Sequence, residues 1–169
     1  FFRYGAKRGK WAMFCSVLTN YTIRFLWVMR LAETRPFGKF FKLVRFRMNR
    51  KYGLNISGKN IGAGLYLGHA HNIDVNPSAV LGKNCNLSKG VTIGQENRGA
   101  RKGAPSLGDC VWVGTNAVIV GKITIGDDVL IAPNTYVNCN VPSHSIVLGN
   151  PCRVISRANA TACYIENKV

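Results

Sequence analysis

From Leu107 onward a branched aliphatic residue returns at every sixth position: Leu107, Val113, Ile119, Ile125, Ile131 and Val137. Four residues after each stands Val111, Ala117, Ile123, Val129, Thr135 or Val141, and the residue after the aliphatic is often small, as in Gly108, Gly114, Gly126 and Ala132. The same frame runs upstream through Val75, Leu81, Leu87 and Ile93, with Ala79, Cys85, Val91 and Asn97 in the second slot; only Asn97 breaks the pattern. An α-helix needs a 3.6-residue period and does not tolerate glycine at this density. A β-sandwich alternates strictly and turns by hairpins. A six-residue period fits short flat strands meeting at corners, each turning one aliphatic inward, so that every coil must stack on the next to bury its apolar face. The main domain is therefore expected to be all-β, a parallel β-helix.

Two interruptions of the frame stand out. Leu67 to Val75 is two residues longer than a hexad and contains Gly68-His69-Ala70-His71-Asn72. Ile93 to Leu107 is eight longer, and the excess, Gln95 to Pro105, reads as a polar, basic, flexible loop. A solenoid that accepts insertions at two places is expected to bind its ligands there.

The chain has 169 residues and a net charge of +16. Residues 1–53 hold thirteen Lys or Arg against one acid, Glu33, so the basicity belongs mainly to this segment. Aromatic residues Trp11, Phe14, Phe25, Trp27, Phe37, Phe40, Phe41 and Phe46 are interleaved with those cations. Helices are expected over Trp11–Arg35 and Phe37–Met48, the second ending near Gly53. The longest charge-free apolar run, Trp11 to Ile23, is too short to span a bilayer, which takes roughly 20 residues. No secretory signal is evident. Because the chain opens on Phe1 rather than Met, part of a native N-terminus is expected to precede it. The six cysteines include no CxxC pair, which argues against a zinc site or a disulfide scaffold and fits a reducing cytoplasm. No metal site is expected, and no motif supports nucleic-acid binding. The expected organisation is a basic helical segment over 1–53, the repeat domain over 54–155 and a tail over 156–169.

Three motifs together resemble the serine acetyltransferase and sugar O-acetyltransferase branch of the hexapeptide-repeat acyltransferases: Gly64-Leu65-Tyr66-Leu67-Gly68-His69, Gly90-Val91-Thr92-Ile93-Gly94 and Gly149-Asn150-Pro151-Cys152-Arg153-Val154-Ile155. The resemblance covers roughly Tyr52 to Ile155. It implies a left-handed coil, a homotrimer, and acetyl-CoA bound as co-substrate in the groove between neighbouring subunits.

Moving an acetyl group from a thioester to an alcohol requires a base for the hydroxyl proton, and an imidazole, with an ordinary pKa of about 6.5, suits that task. His69 lies in the first interruption and matches the family's catalytic histidine. The family's serine enzymes carry an aspartate one coil earlier, and the nearest match is Asn55; Asp74 is the alternative partner. His71 and Asn72 are candidate substrate contacts, whereas His144, in the exit turns, is expected to be solvated. For the phosphates of CoA, cations are expected from Arg98, Arg101, Lys102 and Arg153. The pantetheine arm would lie against backbone groups near Gly114, Ala132 and Gly149. Asp109, Asp127 and Asp128 are read as corner residues.

Departures from the serine enzymes point the acceptor reading towards a saccharide hydroxyl, in a capsular or exopolysaccharide or a lipid-linked precursor. Gly103-Ala104-Pro105 replaces Arg-His-Pro, and Gly68 replaces an aspartate. The aromatic, basic segment agrees, because it resembles interfacial helices on anionic membranes, placing the protein in the cytoplasm at the inner face of the membrane. Two other readings stay open: a serine O-acetyltransferase making O-acetyl-L-serine for cysteine biosynthesis, and a non-catalytic trimeric β-helix scaffold.

Overall fold

The computed structural model describes Arg3 and residues 10–169; residues 1, 2 and 4–9 of the basic segment lie outside the described residues. Three helices come first: α1 (Lys10–Thr19), α2 (Tyr21–Leu31) and α3 (Gly38–Tyr52). Fourteen short strands follow: β1 (Leu54–Asn55), β2 (Tyr66–Gly68), β3 (Ile73–Val75), β4 (Val80–Leu81), β5 (Asn86–Ser88), β6 (Thr92–Gly94) and β7 (Ser106–Leu107), then β8 (Trp112–Val113), β9 (Val118–Val120), β10 (Thr124–Ile125), β11 (Val129–Ile131), β12 (Tyr136–Val137), β13 (Ser145–Leu148) and β14 (Arg153–Ser156).

The strands stack into three sheets, in the orders β1-β3-β6-β9-β12, β10-β7-β4 and β14-β13-β11-β8-β5-β2. From β1 to β13 consecutive strands fall in different sheets and every pairing is parallel, and only the last two, β13 and β14, are antiparallel neighbours in one sheet; the domain is a left-handed parallel β-helix. The registers place the hexad aliphatics directly over one another. Val75, Ile93, Ile119 and Val137 form one column, Leu81, Leu107 and Ile125 a second, and Leu67, Leu87, Val113, Ile131 and Val147 a third. All are buried. Each such side chain contributes roughly 1.5–3 kcal/mol by leaving water, and the short strands exist because their neighbours above and below complete this burial.

The corners are tied by side chains as well as by the backbone. Asp109 Oδ1 accepts from the Lys83 amide at 2.7 Å, Asp127 Oδ1 from the Asp109 amide at 2.6 Å, and Ser143 Oγ from the Asp127 amide at 2.9 Å. The Asp109 and Asp127 carboxylates thus occupy corners, one coil apart.

The helical segment closes the open end of the coil. The helix expected over Trp11–Arg35 is divided at Asn20, whose Oδ1 accepts from the amides of Thr22 at 2.9 Å and Ile23 at 3.2 Å, capping α2. Phe25 and Met29 are fully buried in the same core as Leu54 and Ile56. A solenoid's first coil has no neighbour on one side, and α2 supplies it. Arg30 reinforces the seam, donating to the carbonyls of Gly58, Ile61 and Gly62. α3 ends at Gly53, whose φ of 63° is left-handed and where a Cβ would stand 3.2 Å from the Asn72 amide nitrogen, so a side chain there would be strained and would displace Asn72.

The tail, uninformative as sequence, folds back along the sheet of β2, β5 and β8. The Tyr164 ring packs 4.8 Å from Trp112, Asn86 Nδ2 donates to the Tyr164 carbonyl at 3.1 Å, and Asn84 exchanges two 2.9 Å hydrogen bonds with the backbone of Val169. Arg3 joins this contact through the Glu166 carbonyl and the Asn86 side chain.

Candidate active site

Strand register identifies which residues are inserted at the first interruption. Gly68 of β2 pairs with Ser88 of β5. In the second coil Lys89 follows at once, and its carbonyl accepts from the Asn116 amide at 3.0 Å. The equivalent carbonyl of the first coil is that of His71, accepting from the Gly90 amide at 3.1 Å. His69 and Ala70 therefore have no counterpart in the coil above. Ala70 turns into the core, fully buried, and this leaves His69 outward and exposed. The regular corners spend one left-handed residue each, Gly90, Asn116 or Asn134, whereas this one spends two, His69 at φ 51° and Asn72 at φ 54°. A non-glycine residue holds that conformation at a cost of about 1–2 kcal/mol. The fold thus maintains a strained bulge whose product is a projecting imidazole.

His69 faces an open cleft of about 520 Å³ between residues 19–22 and residues 66–69. The opposite wall is the α1–α2 junction, fixed by the Asn20 cap. Behind it Tyr21 stacks on Tyr52 with ring centroids 4.7 Å apart, and the Tyr21 hydroxyl lies 3.2 Å from Nδ1 of His71. His71 also meets the Tyr52 ring edge-on, at 5.8 Å. His71 is therefore part of an aromatic joint between α2, the end of α3 and the bulge. The sequence reading placed no residue of the helical segment in the site. The signal was Asn20-Tyr21-Thr22, a polar interruption of the apolar run with an N-cap residue at its head.

The two candidate partners for His69 lie elsewhere. Asn55 and Asp74 face each other across β1 and β3, and Asn55 Nδ2 donates to Asp74 Oδ1 at 3.1 Å. They belong to a different sheet from β2. Among the described residues the His69 ring makes no hydrogen bond, so the fold of this chain brings neither residue to it. Asn72 sits beside Gly53, its amide donating to the Tyr52 carbonyl at 3.1 Å.

The long loop is more ordered than its composition suggests. Glu96 and Gly103 exchange two backbone hydrogen bonds of 3.0 Å, and the Lys122 amide donates to the Arg101 carbonyl at 2.8 Å. Arg101 is held by Glu96 in a two-point ion pair of 3.0 and 3.1 Å, so its charge is already met. Arg98 and Lys102 are exposed, as is Arg153 on β14. Backbone donors at the three expected pantetheine positions are engaged: the amides of Gly114, Ala132 and Gly149 donate to Ile131 O, Val147 O and Thr135 Oγ1. A Cβ at Gly114 would lie 2.6 Å from Pro133 N, so glycine there serves coil stacking. His144 is not simply solvated: its Nδ1 lies 2.9 Å from Asp128 Oδ2.

Residues 104–139 match the family described as bacterial transferase hexapeptide (six repeats). Serine acetyltransferase of Helicobacter pylori is 31% identical over 157 residues, covering 90% of this chain and 90% of that protein. The chain belongs to the serine acetyltransferase family of hexapeptide-repeat transferases. Several members of this family are longer. Serine acetyltransferase 2 of Arabidopsis thaliana is 32% identical over 110 residues, 64% of this chain but 34% of that protein, so the chain spans about a third of its length. The structure of Neisseria gonorrhoeae serine acetyltransferase in complex with serine superposes with a TM-score of 0.70 at 29% identity, covering 83% of this chain and 59% of that one.

These findings overturn the saccharide acceptor. The relatives are serine acetyltransferases, and the Neisseria complex contains serine. Neither Gly68, nor Gly103-Ala104-Pro105, nor the basic aromatic segment sets this chain apart from the serine acetyltransferases it matches. Arg98 and Lys102 stand exposed in the same loop as Gly103.

Proposed function

We propose that this chain transfers an acetyl group from acetyl-CoA to the hydroxyl of L-serine, as a homotrimer with acetyl-CoA in the grooves between subunits. The observation that carries this reading is the match to a serine acetyltransferase over nine-tenths of both chains. The bulge at His69 supports it, because the fold spends strain there on one exposed imidazole beside a cleft. The His69 imidazole removes the serine hydroxyl proton as the oxygen forms a bond to the thioester carbonyl carbon. The carbon–sulfur bond then breaks, and the sulfur of CoA leaves with the proton from the imidazolium. Such a base contributes roughly 10²–10⁴-fold in rate. In this reading Arg98, Lys102 and Arg153, all exposed, meet phosphates or a carboxylate.

The test is a thiol-release assay with acetyl-CoA and L-serine, with a panel of saccharides alongside. Serine-dependent release that disappears in His69→Asn supports the reading. A folded protein that releases no thiol with serine overturns it, and one that also fails to bind CoA in calorimetry is a scaffold.

We infer further that the helical segment rests on an anionic bilayer surface. Trp11, Phe14 and Leu18 are exposed along α1, and Phe40, Leu43 and Phe46 along α3, with Phe40 63% accessible among Lys39, Lys42, Arg47 and Arg50. Phe25, one of the aromatics read as interfacial, is instead core. A contact of this face with its own copy would set cation against cation, whereas anionic headgroups supply the missing charge. Among the described residues no helix is long and apolar enough to cross a membrane. Because α2 is built into the core, the test uses substitutions rather than truncation: flotation with phosphatidylserine-containing vesicles is expected, and loss of it in Phe40→Glu/Phe46→Glu. Equal flotation of both proteins would end the proposal.

A further inference from the structure

The cysteines show no spacing motif, yet the fold brings two of them together. Cys139 follows β12 in an exposed turn, Cys152 lies in the turn between β13 and β14, and their sulfurs are 3.8 Å apart. The two turns are already fastened: the Tyr136 amide donates to the Gly149 carbonyl at 3.2 Å, and the Gly149 amide to Thr135 Oγ1 at 3.2 Å. Sulfurs in van der Waals contact on braced segments need only a small side-chain rotation to reach the roughly 2.05 Å of a disulfide bond. Cys139 is open to solvent, so a small reagent can reach it, while Cys152 is half-buried against the edge of the core.

We propose that Cys139 and Cys152 are a covalent modification site, a dithiol that low-molecular-weight disulfides such as glutathione disulfide oxidise to an intramolecular disulfide. The Cys139 thiolate attacks one sulfur of the small disulfide and bonds to it; the S–S bond breaks, and the other sulfur leaves as a thiolate and takes up a proton. The resulting mixed disulfide is attacked by the Cys152 thiolate at the Cys139 sulfur, expelling the second small thiol. The protein loses two electrons and two protons, and the small disulfide is reduced to two thiols. Partial desolvation at the sulfur and the neighbouring Cys152 raise the Cys139 thiol above its ordinary pKa, offset in part by the nearby Arg101 charge. Exchange is therefore slow near neutrality and faster in mild alkali, because the thiolate is the nucleophile. The bond would staple the exit turn, with Gly149 and Arg153, to the last full coil.

The test treats the folded chain with glutathione disulfide in mild alkali, followed by unreduced peptide mapping by mass spectrometry. The expected product joins the Cys139 and Cys152 peptides with loss of two hydrogens and is reversed by dithiothreitol. Cys139→Ser and Cys152→Ser should each stop at a glutathione adduct on the remaining partner. Recovery of both cysteines of the unsubstituted protein as free thiols, or as separate glutathione adducts, overturns the proposal. This mapping is independent of acetyl transfer, so its failure and the failure of the proposed activity are distinguishable.

Discussion

The Tyr21 hydroxyl stands 3.2 Å from Nδ1 of His71, two residues past His69, so the first turn of α2 is joined to the bulge that carries the candidate base. This joint makes the helical segment one wall of the cleft. Tyr21→Phe removes one hydrogen bond, worth about 1 kcal/mol, and Tyr21→Ala also removes the stacking on Tyr52. With L-serine, KM should rise roughly fivefold in Tyr21→Phe and further in Tyr21→Ala, at nearly constant kcat. Steady-state kinetics decide: a fall in kcat at constant KM would place Tyr21 in the chemistry instead.

His69 occupies an inserted, exposed, left-handed position, which separates its chemistry from the stability of the coil. Asparagine tolerates that backbone region, so His69→Asn should keep the melting temperature while kcat falls roughly 10²–10⁴-fold. Asn55 and Asp74 hydrogen-bond to each other rather than to His69. Asn55→Ala and Asp74→Ala should therefore lower kcat by less than about tenfold. A loss in either variant as deep as that of His69→Asn would mean that the pair reorganises to reach the imidazole during turnover.

The coil was legible in the sequence because its determinants are periodic. Ile93, Ile119 and Val137 are apolar for one reason, that each is stacked on the next, and a repeated cause leaves a repeated mark. The bulge was legible as a defect in that rhythm. The tail was not, because its anchors are single, distant partners: Tyr164 on Trp112, Val169 on Asn84, Thr161 on Asp128. The split at Asn20 is marked only by the short polar stretch Asn20-Tyr21-Thr22 with its N-cap residue, since apolar residues dominate on both sides of it. The acceptor was not legible, because single departures such as Gly68 and Gly103 do not outweigh a match that runs over nine-tenths of both chains.

Asp128 links acidity to the tail. Partial burial alone would raise its pKa. The Thr161 hydroxyl, His144 and the amides of Thr161 and Ala160 all favour the carboxylate and prevail, holding it at about 2 against an ordinary 3.8. A depressed folded-state pKa means the stabilisation is fully present above 3.8 and is lost as pH falls towards about 2. Tail release should follow in that window and change the fluorescence of Trp112, which Tyr164 covers. Asp128→Asn should weaken tail docking by about 1–3 kcal/mol at neutral pH and flatten the acid transition. An unchanged transition in Asp128→Asn would assign it to other carboxylates.

Ile119 is stacked between Ile93 and Val137 at full burial, so truncating it leaves a void that neighbouring coils, each fixed by its own ladder, cannot fill. Ile119→Ala should cost roughly 2–5 kcal/mol, whereas Leu43→Ala, on the exposed face of α3, should stay within about 0.5 kcal/mol. Cys85 provides a readout inside the same core. It is fully buried with its sulfur 3.3 Å from the Gly108 carbonyl, and burial pushes its thiol up to about 12. Alkylation of Cys85 should therefore report opening of the coil: resistant in the native protein and in Leu43→Ala, and faster in Ile119→Ala in proportion to the lost stability. Equal Cys85 labelling rates in all three proteins would mean that the coil opens locally at Cys85, without breaking the column that Ile119 completes.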